Sequence, residues 1–102
     1  MRIKTLSSHV ELDNLTANLW VAIGQIAALW QQHGMQTLII SGAGPKSAQP
    51  GTPIHLGNAV AIRTSCLPDE FGMYEELEPW LDDYIAVARC TGYWLVSDIK
   101  PY

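Results

Sequence analysis

A chain of 102 residues that is 48% apolar and carries four tryptophans has material for one hydrophobic core, so a single domain over residues 1–102 is expected. The net charge is −4, and the basic residues Arg2, Lys4, Lys46, Arg63, Arg89 and Lys100 are scattered, which excludes the basic stripe that direct nucleic-acid binding needs. No run reaches the roughly 18 apolar residues of a membrane span, and the first residues lack the apolar core of a signal peptide, so a soluble, cytoplasmic protein is expected.

The first strong periodicity places Leu15, Leu19, Ala22, Ile23, Ile26, Ala27 and Trp30 on one helical stripe, with Asp13 or Asn14 as N-cap and Gly34 as the stop. Thr37 to Ser41 is a short β-branched and aliphatic run that reads as a buried strand ended by Gly42. A loop rich in Gly, Pro and Ser follows to Pro53. Ala59 to Thr64 predicts a strand with Ala59, Ala61 and Arg63 on one face and Val60 and Ile62 on the other. A second helix is predicted from about Tyr74 to Cys90, burying Leu77, Trp80, Leu81, Tyr84, Ile85 and Ala88, with Pro79 inside its first turn. After the break at Thr91-Gly92, Tyr93 to Ile99 reads as a final strand. The fold class is therefore α+β, a small antiparallel or mixed sheet packed against two amphipathic helices.

Within this order, Thr52-Pro53-Ile54-His55-Leu56-Gly57-Asn58-Ala59-Val60-Ala61 has the spacing of a Ser-x-His-x-x-Gly-x-Ala-x-Asp motif. Upstream, Leu38 to Gly42 resembles the apolar strand ending in Ser-Gly that precedes such a motif, with Ala43 and Gly44 where Tyr and Arg would stand. Across residues 13 to 99 the chain resembles the zinc D-alanyl-D-alanine peptidases, a family that includes VanY-type carboxypeptidases and phage L-alanyl-D-glutamate endolysins, with the Hedgehog signalling domain as a relative. That resemblance implies that the zinc-ligand positions are Ile54, Ala61 and Val96, none of which can bind zinc. It places the catalytic acid in Gly92-Tyr93-Trp94-Leu95, where no carboxylate stands, and it puts the anchoring Arg at Gly44. No metal, no other cofactor and no hydrolysis by the family mechanism are expected.

Other chemistry-bearing residues have plainer readings. His9, His33 and His55 read as surface or capping histidines rather than a metal triad, and His33 suits the field at a helix C-terminus. Ser41 and Ser97 have no nucleophile setting, and Gly42 to Ser47 lacks Walker spacing. Cys66 and Cys90 read as two small buried thiols, with a disulfide between them as the alternative.

The acidic residues Asp69, Glu70, Glu75, Glu76, Glu78, Asp82 and Asp83 read first as a solvated helix face, and alternatively as a docking surface for a basic protein through Glu75, Glu78, Asp82 and Asp83. Trp20, Val21 and Ala28 carry apolar character beyond the main stripe of the first helix, as in a helix buried on two sides or a homodimer seam.

Two functions remain open at this level, beside an unrelated α+β domain. The preferred one is a non-catalytic binding or structural protein on a peptidase-like scaffold, encoded by a phage or mobile element and acting as an assembly component or inhibitor. The alternative is a peptidoglycan-peptide-binding protein, or a peptidase with a rebuilt site.

Overall fold

The computed structural model describes residues 2–80 and 85–98. Its elements are β1 (Arg2–Thr5), α1 (Ala17–Gln32), β2 (Thr37–Gly42), β3 (Ala59–Arg63), α2 (Glu70–Leu77), a 3₁₀ turn (Glu78–Trp80), β4 (Ala86–Cys90) and β5 (Tyr93–Ser97). The strands form one mixed sheet in the order β1-β2-β3-β5-β4. β1 and β2 pair in parallel and the remaining neighbours antiparallel. A parallel pair needs a crossover connection, and α1 supplies it between β1 and β2. β1, absent from the sequence-based expectation, is a four-residue edge strand whose Arg2 and Lys4 are exposed, the usual protection of an edge against pairing with other chains.

Both helices cover the same face of the sheet. From α1 come Leu19, Ala22, Ile23, Ile26, Ala27, Leu29 and Trp30, and from the sheet Leu38, Ile40, Val60, Ile62, Trp94 and Val96, with Met73 and Leu77 of α2. The alternation along β3 is as the sequence predicts, since Val60 and Ile62 join this core while Ala59, Ala61 and Arg63 take the opposite face. Trp94 anchors the centre. It meets Trp30 edge to face at 5.2 Å and Tyr74 at 5.8 Å, contacts worth about 0.5–1.5 kcal/mol each beyond their buried area.

α1 begins two or three residues later than predicted. Thr16 is the N-cap, its hydroxyl accepting from the Leu19 N–H, and it also donates to the Asp98 carboxylate beyond β5. Asp13 and Asn14 lie in the turn before it.

The second helix departs further from expectation. It starts at Glu70, capped by Asp69, whose carboxylate accepts from the Gly72 N–H, and ends at Leu77; Ala86–Cys90 is a strand. Two residues, Thr91 and Gly92, join β4 to β5, and Gly92 takes φ 83°, a conformation open mainly to glycine. Alternating Ala86-Val87-Ala88-Arg89-Cys90 ahead of such a turn is the first limb of a hairpin, and the tertiary partner β5 overrides its helical periodicity. Pro79 sits in the 3₁₀ turn after the helix, and Trp80 and Ala88 of the predicted stripe are exposed. Leu81, Asp82, Asp83 and Tyr84 lie outside the described residues.

Candidate functional site

The long connection between β2 and β3 folds back on the segment that precedes α1. Glu11 N–H donates to the Ala43 carbonyl at 2.9 Å, Gly44 N–H to Ile54 at 3.2 Å, and the Ser47 hydroxyl to His9 at 2.9 Å. Lys46 pairs with Glu11 at 3.3 Å across this layer. The closest approach is at Gly57, where an added Cβ would collide with the Asn14 carbonyl oxygen; its φ is 80°. Gly57 is therefore required twice over, for its conformation and for the space it leaves.

This layer positions two of the three predicted ligand positions. A Cβ built on Gly42 would lie 3.4 Å from the Ala61 Cβ and 4.0 Å from Cδ1 of Ile54, so both residues border Gly42 at the end of β2. Val96 does not join them. It is the cross-strand partner of Val60, whereas Ala61 opposes Leu95; antiparallel partners share a face and neighbours along a strand alternate. Val96 is therefore in the helix-side core, fully buried, and Ala61 is on the other side of the sheet.

None of the three positions carries a donor atom for a metal. Among the described residues no group of three or more His, Cys, Asp and Glu side chains gathers in metal-binding geometry. Gly44 leaves no room for the Arg of the motif, because a Cβ there would lie 2.8 Å from the Glu11 Cβ. The chemistry of a zinc peptidase does not fit this constellation.

The histidines are dispersed. His33 caps the C-terminus of α1 and its Nε2 bonds the Glu76 carboxylate of α2, tying the helices together. His9 lies exposed in the turn after β1. His55 sits beside Ile54 with its Nδ1 buried and without a hydrogen-bond partner among the described residues, as is Nε1 of Trp30 in the core. Ser41 donates to the Ala61 carbonyl at 3.2 Å, a bond that bridges the irregular pairing between Ile40 and Gly42.

The cysteines differ from the buried pair expected. Cys66 is exposed, Cys90 is half-buried, and both are free thiols. Cys90 stands opposite Tyr93 in the hairpin, and its hydrogen bond to the phenol holds Tyr93 above the usual tyrosine range.

The densest polar constellation was not foreseen. Glu70, in the first turn of α2, accepts from Arg89 Nε at 2.9 Å and from Nη2 at 2.6 Å, and from the buried indole of Trp94. The Arg89 guanidinium also lies 4.8 Å from the Phe71 ring centroid and 5.3 Å from that of Tyr74. The Arg89 bonds hold the Glu70 carboxyl below its ordinary range, opposed by desolvation and reinforced by Trp94. This clamp fastens α2 to the hairpin. Sequence pattern alone misses it, because Arg89 becomes a strand residue only once β4 is recognised.

Around the clamp, α2 presents Phe71 and Glu75, and the 3₁₀ turn that follows presents Glu78 and Trp80, all exposed. On α1, Trp20 and Val21 are 43% and 62% exposed and Ala28 is exposed, so that helix is buried on one side only. Searches of protein-family models, curated proteins and solved structures returned no match to this chain. The resemblance to the zinc peptidases rests on the motif residues and on an expected order of elements that β1 and β4 alter.

Proposed function

We propose that this chain is a non-catalytic protein-binding domain, an assembly component or an inhibitor, whose contact surface is the acidic and aromatic face of α2 and the turn after it. The observation that carries this reading is the exposed set Phe71, Glu75, Glu78 and Trp80. Large apolar groups stay in solvent among carboxylates, although the core beneath is complete. Such a surface fits a basic protein that also offers aliphatic or aromatic area, because opposite charge steers the encounter and the rings supply buried area. Ile54, Ala61 and Val96 do not converge on one region, because Val96 lies in the helix-side core and Ala61 on the other face of the sheet, so the reading rests on the α2 surface and not on lost zinc ligands.

The test is affinity capture with the wild-type chain and with the double variant Glu75→Arg/Glu78→Arg, read by mass spectrometry and repeated in high salt. Capture of a basic protein that salt weakens and the charge reversal abolishes is expected. An unchanged set of captured proteins would refute the surface. Stoichiometric zinc in the purified chain together with cleavage of a peptidoglycan stem peptide would refute the non-catalytic reading.

A further inference from the structure

We infer that the sheet face turned away from the helices is the docking surface for the α2 face of a second copy of this chain, so that copies join head to tail. The contact uses the α2 surface of the proposed function and rests on that reading. The five strands contain no Asp or Glu, yet they hold four of the six basic residues, Arg2, Lys4, Arg63 and Arg89. Arg89 is engaged on the helix side by Glu70. Arg2, Lys4 and Arg63 are exposed, and among the described residues none of them forms an ion pair. Strand register gathers these three on one face. Lys4 pairs with Ile39 and Arg2 with Thr37, and Ile39 lies between the core residues Leu38 and Ile40, so this set points away from the helices. Arg63 shares that face with its cross-strand partner Tyr93, and it stands beside Ile39 because Ile62 opposes Ile40. Lys4, Ile39, Arg63 and Tyr93 therefore form one row across β1, β2, β3 and β5. With about 4.8 Å between strands, the backbones at Lys4 and Arg63 are about 10 Å apart. Cations scattered along the sequence are neighbours in the fold.

Charge complementarity within the chain selects the occupant. Glu75 and Glu78 stand in solvent with Phe71 and Trp80, a surface that fits cations set among aliphatic and aromatic groups. The open sheet face of the same chain offers that composition. It has three cations without ion pairs and no carboxylate, with Tyr93 exposed and Ile39 and Leu95 half-buried among them. What the acidic surface meets is a basic face, not a basic net charge, so a chain of net charge −4 can supply it. α2 packs on one side of the sheet and the cations lie on the other, so the two surfaces cannot meet within one copy. A contact between two copies leaves one acidic and one basic face free at its ends, and unlike faces joined in this way extend beyond a dimer.

The test is light scattering coupled to size-exclusion chromatography on the full chain, over a concentration series in low and high salt. Two variants accompany the wild type, Glu75→Arg/Glu78→Arg on α2 and Lys4→Glu/Arg63→Glu on the sheet; all four residues are exposed, and thermal melts check that both variants stay folded. The expected wild-type mass rises with concentration to twice that of the monomer and beyond, and returns to the monomer in high salt, where surface charges are screened. Each variant alone is monomeric, because its two faces now carry the same sign. An equimolar mixture of the two regains the wild-type mass, because each supplies the face that the other has lost. The α2 variant is four charge units more positive than −4 and so formally neutral, which removes net attraction as the cause of recovery. A wild-type monomer at every concentration overturns the inference, as does assembly that persists in either variant or a mixture that stays monomeric. If the wild type is monomeric while Glu75→Arg/Glu78→Arg still abolishes capture of another protein, the α2 surface stands and only the second copy is wrong. If that capture is unchanged as well, both readings fall.

Discussion

Gly57 shows how a residue at a motif position can be required for reasons unrelated to the motif. Its φ of 80° and the Asn14 carbonyl against its Cα exclude any side chain. An L-residue in this conformation costs about 1–2 kcal/mol, and overpacking adds about 1–3 kcal/mol. Gly57→Ala is therefore expected to destabilise the fold by about 3 kcal/mol, measured by denaturant titration. Gly92→Ala, with φ 83° but open space around it, should cost only about 1–2 kcal/mol. Equal losses would show that the contact with Asn14 is not limiting. The sequence made Gly57 visible as a spacing; its contact with a residue 43 positions earlier depends on how the β2–β3 connection folds back, which local pattern does not encode. For the same reason Ile54 and Ala61 could be paired from their spacing, but the face occupied by Val96 depends on a strand register fixed only in the assembled sheet.

Among the elements, α1, β2 and β3 were legible because each is a continuous periodic run whose period alone distinguishes helix from strand. The region from Glu70 to Cys90 was not. Leu77, Ile85 and Ala88 fit a helical stripe as well as they fit a short helix followed by a strand, and the decisive signal was the two-residue turn at Thr91-Gly92, which makes Ala86–Cys90 the partner of Tyr93–Ser97. β1 was missed because four residues with two charges carry little apolar pattern; its pairing with β2 depends on the α1 crossover. The start of α1 supplies the prediction at this scale. Thr16→Ala removes the acceptor for the Leu19 N–H and the donor to Asp98, and should cost about 0.5–2 kcal/mol. Thermal melts at neutral pH measure it, and Thr16→Ser should recover most of the loss. A Thr16→Ser variant as unstable as Thr16→Ala would mean that the methyl group, not the hydroxyl, sustains the cap.

At the scale of the whole molecule, stability should depend on acid through the clamp that joins α2 to the hairpin. The folded-state pKa of Glu70 is lowered, first by the hydrogen bonds from Arg89. Its contribution is therefore fully present above the ordinary glutamate value, about 4.3, and is lost as pH falls through the lower folded value. Glu70→Gln keeps an acceptor for the Trp94 indole but removes the charge, so the variant should melt below wild type at pH 7 and converge with it as pH falls below the lowered folded-state value of Glu70. A gap that stayed constant across that range would assign the effect of Glu70 to packing rather than ionisation. The bond between Thr16 and Asp98, which spans 82 residues, bears on the order in which the molecule forms. Residues leave the ribosome at about 5–20 per second, so roughly 4–16 s separate the synthesis of the helix start from that of its carboxylate partner. During translation α1 waits with an incomplete cap, and the arrival of Asp98 closes the first turn of this helix.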